Sequence, residues 1–340
     1  MSREHVLVPV PFNLPTDAPR VLVTGASGFV GSHFVRALME RGARIKAFGR
    51  NTSTKNLMRL WDHTAKPLYP NCFEMVFGDL TEDISGLCES VDWVVNFAAK
   101  TFVDHSIRDP MPFLKSNLLG TANLLEEARR QGVKRFVQVS TDEVYGAILE
   151  GAYKEDARIN PTNPYAASKA AADALAISYA HTYGMHTIVT RTENNYGPYQ
   201  HPQKAMPVFV RKALEAKNLP VYGDGMHVRQ WLYVEDHCSA IWHLLNHKDV
   251  PKGEVYHVAG CQELPNIELA RKILQIVQPG VDPDKFIELV PDHNIRPGHD
   301  RRYALDCSKL RGLGWKPEWD LDLGLRHTVR WYMDNVWWFK

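Results

Sequence analysis

The sequence predicts an α/β fold: a Rossmann-type doubly wound parallel sheet with a smaller C-terminal substrate-binding domain. Short apolar segments with the pattern of strands alternate with amphipathic helical segments from Arg20 onwards, which is typical of a parallel sheet covered by helices on both faces. A glycine-rich turn joins the first strand to the first helix. With 340 residues, 44% of them hydrophobic and 23% charged, the chain can bury a large core.

The predicted elements follow one another at the spacing of βαβ units. Strands are expected at 21–24, 44–48, 73–77, 93–97, 136–140 and 187–191, and helices at 32–40, 118–131 and 165–183. After Tyr196, proline and glycine break the chain into shorter elements. A strand at 231–234, a helix at 235–247 and a strand at 254–258 are expected to return to the main sheet.

Three segments are therefore expected. Residues 1–19, with several prolines, form a loosely ordered extension without the continuous apolar stretch of a signal peptide or membrane anchor. Residues 20–195, together with a returning segment 226–262, form the dinucleotide-binding domain. Residues 196–340 form mainly the substrate-binding domain.

Charge and cysteine content narrow the function classes. The 40 basic and 39 acidic residues give a net charge of +1, so no binding to nucleic acid or to a membrane surface is expected. The five cysteines are an odd number, lie far apart and include no Cys-x-x-Cys pair. No metal site is expected, and a cytoplasmic location is predicted.

The glycine turn has the spacing Gly-x-x-Gly-x-x-Gly, at Gly25, Gly28 and Gly31. Gly25 permits the tight turn, Gly28 lets the backbone approach a pyrophosphate, and Gly31 allows close packing of helix on strand. The N-terminus of the following helix supplies amide donors and a favourable dipole. We therefore interpret the turn as a dinucleotide site, the alternative being a purely structural turn.

The end of the second strand leaves the choice between NAD and NADP open. An NAD site normally has an acidic residue there for the ribose 2′-hydroxyl, whereas this chain has Arg50 and Asn51. Arg50 could pair with the 2′-phosphate of NADP, or it could stack on the adenine of NAD. NAD is the expected cofactor, with NADP as the alternative.

Tyr165 and Lys169 are four residues apart, which places them on one face of a helix. A nearby ammonium group lowers the pKa of a phenol, so Tyr165 could accept a proton from a substrate hydroxyl. Asn163 and Pro164, just before them, are a helix-start signal. The spacing predicts a catalytic tyrosine and lysine.

Two adjacent carboxylates, Asp142 and Glu143, follow the fifth strand beside Thr141. Catalytic groups commonly lie at the carboxyl ends of parallel strands. Adjacent carboxylates suit an elimination, because one must be protonated to help a hydroxide leave and the other ionised to remove a proton. Mutual repulsion and burial can separate their pKa values. The alternative is a solvated acidic turn or a helix cap.

The glycine turn together with the run Tyr165-Ala166-Ala167-Ser168-Lys169 resembles the extended short-chain dehydrogenase/reductase superfamily over nearly the whole chain. The run Thr141-Asp142-Glu143 is similar to the nucleotide-diphosphate-glucose 4,6-dehydratases, most of all to the dTDP-glucose 4,6-dehydratase family. Further stretches with the same resemblance lie at 101–106, 194–198, 229–236 and 296–303.

The resemblance implies a mechanism. Thr141 and Tyr165 would assist oxidation at C4 of a glucose linked to a nucleoside diphosphate. Glu143 would remove the C5 proton, and Asp142 would protonate the departing C6 hydroxyl. The hydride would then return to C6, so that the cofactor is recycled and a 4-keto-6-deoxy sugar is formed.

The resemblance also implies binding residues and an assembly. Cofactor contacts are expected from Gly25, Gly28, Phe29, Val30, Gly31, Arg50, Asn51, Asp79, Leu80, Ala98, Ala99, Thr101, Ser140, Tyr165 and Lys169. Contacts with the nucleotide sugar are expected from Ser106, Thr141, Asn195, Lys204, Tyr222, Arg229, Asn266, Arg296 and Tyr303. A homodimer is expected, paired through helices 118–131 and 165–183 in a four-helix bundle.

Two positions depart from the family pattern: Lys100 replaces an acidic or small polar residue, and Thr192-Glu193 replaces a pair of small residues. The alternative enzyme is a C4-epimerase or decarboxylase with the same tyrosine and lysine, and the alternative of another class is a dinucleotide-binding sensor without chemistry. Thymidine and uridine differ by one methyl group, worth about 1–3 kcal/mol in an apolar pocket, so the nucleotide is left open.

Overall fold

The computed structural model describes residues 18–50, 56, 58–60, 62, 72–260, 262–291 and 300–340. The predicted extension at 1–19 lies almost wholly outside these residues, as do Asn51 and Arg296 of the predicted sites. Within the described ranges, no helix is both long and apolar enough to cross a membrane. The same ranges contain no group of three or more histidine, cysteine or acidic side chains that could hold a metal ion.

Strands and helices alternate along the described chain. The strands are β1 (Arg20–Thr24), β2 (Arg44–Gly49), β3 (Phe73–Phe77), β4 (Trp93–Asn96), β5 (Arg135–Val139), β6 (Thr187–Thr192), β7 (Asn194–Tyr196), β8 (Leu219–Tyr222), β9 (Val228–Tyr233), β10 (Glu254–Val258), β11 (Glu263–Pro265) and β12 (Ile287–Val290). The helices are α1 (Phe29–Glu40), α2 (Val103–Arg108), α3 (Met111–Phe113), α4 (Gly120–Arg130), α5 (Pro164–Tyr183), α6 (Ala205–Leu214), α7 (Val234–Asn246), α8 (Asn266–Val277), α9 (Ser308–Gly312) and α10 (Leu321–Asp334).

The main sheet has seven strands in the order β10-β6-β5-β4-β1-β2-β3, and every neighbouring pair is parallel. Two apolar cores lie against it, one containing Phe34 of α1 and Ile241 of α7, the other Leu124 of α4 and Ala176 of α5. The predicted Rossmann-type α/β fold is confirmed. The strand order reverses beside β1, and doubly wound sheets bind ligands at such a switch point.

The C-terminal part of the chain has its own smaller core. Helices α6, α8 and α10 contribute buried side chains to it, among them Val210, Leu269 and Val329. Strands β8 and β12 form a parallel pair, and β7, β9 and β11 form a three-stranded sheet. Strand β7 comes directly after β6 of the main sheet, and β10 of the main sheet lies between β9 and β11 in the chain, so the two parts are interleaved in sequence.

The prediction that the segment 231–234 returns to the main sheet is wrong. This segment lies largely in β9, which pairs with β7 and β11 instead. An apolar run indicates a buried strand but does not specify which sheet will pair with it. The expectation for 254–258 is confirmed, because β10 joins the edge of the main sheet beside β6.

Candidate active site

The glycine turn between β1 and α1 borders a cleft at the carboxyl ends of the parallel strands. Gly25 has a φ of +64°, and a Cβ there would lie 2.8 Å from the backbone nitrogen of Ala98. A Cβ on Gly31 would collide with the carbonyl oxygen of Gly25. Only glycine fits these two positions. The cleft is lined by Gly25, Ser27, Gly28, Phe48, Gly49, Arg50, Asn56, Gly78, Asp79, Leu80, Phe97, Ala98, Ala99 and Ser116.

The residues of this cleft fit a dinucleotide. Gly25 and Gly31 keep the turn tight against the segment after β4 and against α1, since a Cβ at either position would collide with backbone. Gly28 caps α1, and no acidic side chain lies in the first turn of this helix. The N-terminus of α1 therefore offers amide donors and a positive dipole to a pyrophosphate. We name this space the cofactor cleft.

Arg50, at the end of β2, pairs with Asp79, with 3.6 Å between Nη1 and Oδ2. Asp79 also accepts hydrogen bonds from the backbone nitrogen and the hydroxyl of Thr81. Partial burial raises the pKa of Asp79, but the bonds from Thr81 and the charges of Arg50 and Lys100 outweigh it and the net pKa is lowered. An ionised carboxylate therefore faces Arg50 inside the cofactor cleft.

A buried hydrogen-bond network fixes the strand ends beneath the cofactor cleft. Thr24 Oγ1 donates to Asn96 Oδ1 at 2.6 Å, and Asn96 Nδ2 donates to Gln138 Oε1 at 2.8 Å. The backbone nitrogen of Ala98 donates to Thr24 Oγ1 at 3.3 Å. These contacts join β1, β4 and β5 and hold Ala98 against the glycine turn. The sequence does not single these residues out, because each has the pattern of an ordinary strand position.

Asn117, which the sequence also does not single out, connects the segment after β4 to α5. It lies in a π-helical segment, Leu114–Leu119, between α3 and α4. Its Oδ1 accepts a hydrogen bond from the backbone nitrogen of Lys100 at 2.8 Å, and its Nδ2 donates to the Lys100 carbonyl and to Ser168 Oγ. The backbone of Lys100, one of the departures from the family pattern, is thereby fixed.

A short 3₁₀ helix, Asp142–Tyr145, begins shortly after β5 and contains both carboxylates. Thr141 is the N-cap of this helix. Thr141 Oγ1 accepts from the backbone nitrogen of Glu143 at 3.3 Å and donates to Asp142 Oδ1 at 3.1 Å. Asp142 is buried, with 5% of its surface exposed, whereas Glu143 lines a second cleft. The two adjacent carboxylates therefore have different environments.

The different environments of Asp142 and Glu143 act differently on their protonation. Burial, reinforced by the charge of Glu143, raises the pKa of Asp142 to about 7, against opposing effects of Thr141 and Arg229. Asp142 can therefore hold a proton near neutral pH. Glu143 accepts a hydrogen bond from Asn163 Nδ2 at 3.2 Å, and such a bond favours the ionised form of a carboxylate.

Tyr165 and Lys169 lie on α5, which begins at Pro164. Lys169 Nζ donates to the carbonyl of Val139, the last residue of β5, at 2.6 Å, and burial lowers its pKa to about 8. Burial, with the charge of Glu143, also raises the pKa of Tyr165 well above its usual value, although a hydrogen bond with Thr141 opposes this. The expected lowering of the phenol pKa by Lys169 is therefore outweighed by burial in this structure.

The second cleft, which we name the substrate cleft, lies beside Glu143. Arg229 stacks over the ring of Tyr303, with 4.5 Å between Cζ and the ring centroid, and its Nη2 donates to the carbonyl of Asp300 at 2.9 Å. Tyr303 donates its hydroxyl to Asp300 Oδ2 at 2.6 Å. Residues predicted to contact substrate that line this cleft are Asn195, Lys204, Tyr222, Arg229, Asn266 and Tyr303.

Lys204 lies over the ring of Phe102 at 4.5 Å, and its Nζ donates to the carbonyl of Thr101 at 3.2 Å. Asn195 Oδ1 lies 3.0 Å from His237 Nδ1 and accepts a hydrogen bond when that ring nitrogen carries the hydrogen. Asn195 Nδ2 donates to the carbonyl of Glu193 at 3.1 Å. These contacts hold two polar side chains at the wall of the substrate cleft.

Some predicted contacts lie elsewhere. Ser106 is fully buried, donates to the Val103 carbonyl and accepts from the backbone nitrogen of Tyr165 at 3.2 Å, so it holds the start of α5 and does not face the substrate cleft. Thr101 lines the substrate cleft, although a cofactor contact was expected. Phe29 and Val30, in the first turn of α1, are outside the described lining of the cofactor cleft.

Ser140 is buried at the end of β5, where its backbone nitrogen donates to the carbonyl of Thr190 of β6.

The pair Thr192-Glu193, the second departure from the family pattern, makes hydrogen bonds at the end of β6. Thr192 Oγ1 donates to the Val258 carbonyl at 3.2 Å, and Glu193 Oε2 accepts from the backbone nitrogen of Gly260 at 2.9 Å. Both side chains thus connect β6 to β10 and the segment after it.

The cofactor cleft, the tyrosine and lysine of α5 and the two unlike carboxylates after β5 define a dinucleotide-dependent enzyme of the extended short-chain dehydrogenase/reductase type. The predicted superfamily resemblance is confirmed by the comparisons with known proteins. The chain belongs to the family whose model is described as GDP-mannose 4,6 dehydratase, which matches residues 22–328.

Several individual proteins are similar over nearly the whole chain. A dTDP-glucose 4,6-dehydratase of Streptomyces niveus is 43% identical over 329 residues, covering 94% of each chain. The low-salt glycan biosynthesis protein Agl12 of Haloferax volcanii is 43% identical over 321 residues, covering 93% of this chain and 99% of its own. The crystal structure of DesIV, a dTDP-glucose 4,6-dehydratase from Streptomyces venezuelae with NAD and TYD bound, is 42% identical with a TM-score of 0.86, covering 94% and 99%.

Proposed function

We propose that this protein is an NAD-dependent dTDP-glucose 4,6-dehydratase, which forms the 4-keto-6-deoxy sugar with loss of one water. The observation that carries the proposal is the unlike pair of Asp142, buried with a pKa of about 7, and Glu143, which lines the substrate cleft. An elimination across C5 and C6 needs a protonated acid and an ionised base side by side. A C4-epimerase needs neither group.

Protein side chains carry the proton movements of this reaction. Tyr165, bonded to Thr141, accepts the proton of the C4 hydroxyl. A nicotinamide dinucleotide held in the cofactor cleft would accept the hydride from C4 and return it to C6. Glu143 removes the C5 proton, which the C4 ketone makes acidic, and returns a proton to C5 when the hydride reaches C6. Asp142 protonates the hydroxyl that leaves C6.

The substrate cleft supports recognition of a nucleoside diphosphate. Arg229 and Asn195 are assigned to the diphosphate, since a guanidinium group can bind phosphate oxygens through two hydrogen bonds. Lys204 is assigned to the nucleotide, and the ring of Tyr222 to stacking on a pyrimidine base. The Arg229 guanidinium is already oriented by Tyr303 and the Asp300 carbonyl.

NAD is the proposed cofactor because Asp79 occupies the neighbourhood of Arg50. A 2′-phosphate of NADP would have to displace this ionised carboxylate or lie beside it. Repulsion between the negative phosphate and the negative carboxylate opposes such binding. Further cofactor contacts are proposed for the predicted residues that line the cofactor cleft, which are Gly25, Gly28, Arg50, Asp79, Leu80, Ala98 and Ala99. Lys169 and Tyr165 complete the site at the nicotinamide end.

The domain division, the assembly and the location are part of the same proposal. Residues 20–195 with 226–262 would bind the cofactor, and most of 196–340 the nucleotide sugar. Exposed apolar side chains on the proposed dimer helices, Leu119 and Tyr183, support a homodimer. Free thiols at Cys72, Cys88 and Cys238 support a reducing, cytoplasmic location.

The test is a product assay with purified protein and NAD. We expect dTDP-glucose to yield a product lighter by one water, with the alkaline absorbance of a 4-keto-6-deoxy sugar, and UDP-glucose to react more slowly. A product of unchanged mass with inverted C4 would identify an epimerase. No turnover of either sugar by folded, NAD-loaded protein would refute the dehydratase.

A further inference from the structure

Asn163 joins the start of α5 to the carboxylate of Glu143. Its Oδ1 accepts a hydrogen bond from the backbone nitrogen of Ala166 at 2.9 Å, which makes it the N-cap of the helix that carries Tyr165. Its Nδ2 donates to Glu143 Oε2 at 3.2 Å. An amide has one oxygen and one nitrogen, so capping the helix with the oxygen directs the nitrogen to the carboxylate.

The backbone around Asn163 is held on both sides. Thr162 Oγ1 donates to Asp300 Oδ2 at 2.6 Å, which ties the residue before Asn163 to the wall of the substrate cleft. Pro164, the residue after it, has a restricted φ and begins the helix. The amide of Asn163 is therefore presented to Glu143 by a backbone that cannot easily turn away.

The neutral donor that Asn163 presents to Glu143 has a chemical consequence for the pair of carboxylates. Donation to an oxygen of Glu143 stabilises its ionised form and fixes one of its two oxygens. The charge on Glu143 in turn disfavours a charge on Asp142. Among the described residues, the titratable and charged groups near the pair include Tyr165 on α5 and Arg229 and Tyr303 at the substrate cleft, with Asp300 hydrogen-bonded to Tyr303.

We propose that Asn163 is a positioning residue for the elimination: its amide oxygen caps the catalytic helix while its amide nitrogen holds Glu143 ionised and oriented toward C5. The inference rests on the proposed dehydratase function. It assigns to Asn163 a role that a capping residue alone does not have. Serine and aspartate cap helices as well as asparagine does, but aspartate has no donor and the hydroxyl of serine is one bond shorter than the amide nitrogen.

The test compares three variants of the NAD-loaded enzyme. Asn163→Ser and Asn163→Asp both keep a cap, so their melting temperatures are expected to stay close to that of the wild type, whereas Asn163→Ala loses the cap and melts earlier. Both capped variants are expected to eliminate water at least about tenfold more slowly, because a hydrogen bond to a charged group is lost. Asn163→Asp should be the slower, since it places a second negative charge beside Glu143.

Two readouts separate positioning from folding. In a single turnover with dTDP-glucose, the variants should still oxidise C4 and accumulate reduced nicotinamide, since only the elimination is slowed. The acidic limb of the pH profile should move to higher pH, because Glu143 without its donor binds a proton more readily. Wild-type elimination rates in Asn163→Ser would overturn the proposal and leave Asn163 as a cap alone.

A measurement without turnover distinguishes failure of this inference from failure of the proposed function. In protein labelled with ¹³C at the glutamate carboxyls, the Glu143 signal is assigned by its loss in Glu143→Gln. Its midpoint is expected at higher pH in Asn163→Ser than in the wild type, whether or not dTDP-glucose is the substrate. Equal midpoints would overturn the inference, whereas absence of product from wild-type enzyme would refute the dehydratase.

Discussion

Arg191 Nε donates to Asp173 Oδ2 at 3.0 Å in an ion pair whose side chains are only 5% and 1% exposed. Asp173 lies one helical turn after Lys169 on α5, and Arg191 lies on β6. Arg191 Nη1 also donates to the hydroxyl of Tyr145, which itself contacts His257 Nε2 at 2.7 Å. This buried pair therefore holds α5, the helix that carries Tyr165 and Lys169, against the main sheet.

Removing one partner of this pair should be strongly destabilising. Arg191→Met leaves the Asp173 carboxylate buried without its counter-charge, and we expect a loss of about 3–5 kcal/mol in the free energy of unfolding, measured by urea denaturation. Arg36→Met is the control, because its i,i+4 pair with Glu40 is exposed and should be worth less than about 1 kcal/mol. Equal effects of the two substitutions would show that the buried pair has no special role.

The raised pKa of Asp142 predicts a pH dependence of stability. Its folded-state pKa of about 7 exceeds that of an unfolded aspartate, so between these two values the folded state holds a proton that the unfolded state has lost. Stability should therefore fall as pH rises across this window, by up to about 1.4 kcal/mol per pH unit.

Asp142→Asn should flatten this fall, because the amide does not titrate. Urea denaturation of both proteins through the same window measures the effect, with the exposed Asp249→Asn as a control that should keep the wild-type slope. A wild-type slope in Asp142→Asn would mean that Asp142 does not hold the proton.

The Arg50–Asp79 pair predicts how the cofactor preference responds to mutation. Arg50→Ala should change the Kd for NAD only a few-fold, since the side chain is already engaged by Asp79 and 43% exposed. The Kd for NADP should rise about tenfold or more, because a cation near the 2′-phosphate is lost. Titration calorimetry with both dinucleotides measures this, and a large loss of NAD affinity alone would contradict the assignment.

The parts of the fold that depend on local pattern could be predicted. The predicted strand 73–77 and the helix 165–183 match β3 and α5 closely, since buried apolar runs and a proline start signal are local properties. The partner of β9 could not be predicted, because the pairing depends on where β7 and β11 lie in space.

The same distinction holds in the site. Asp142 and Glu143 are adjacent in sequence, and Tyr165 and Lys169 share a helix face, so their proximity could be predicted. The role of Asn117 could not be predicted, because it lies in a π-helical turn without a local signal and contacts a distant segment. The hydrogen bond of Asn163 to Glu143 could not be predicted either, because it joins two segments that are separated in the chain. The net pKa of Tyr165 also depends on burial, which the spacing of Tyr165 and Lys169 does not reveal.

In the proposed dehydratase, Glu143 is the base that removes the C5 proton after oxidation at C4. Glu143→Gln keeps the shape of the side chain and removes its basicity. We would follow a single turnover of dTDP-glucose by this variant in deuterium oxide. We predict that reduced nicotinamide forms and persists, that no deuterium enters C5, and that product formation falls by at least about 100-fold. Formation of deuterated 4-keto-6-deoxy product at the wild-type rate would show that Glu143 is not the base.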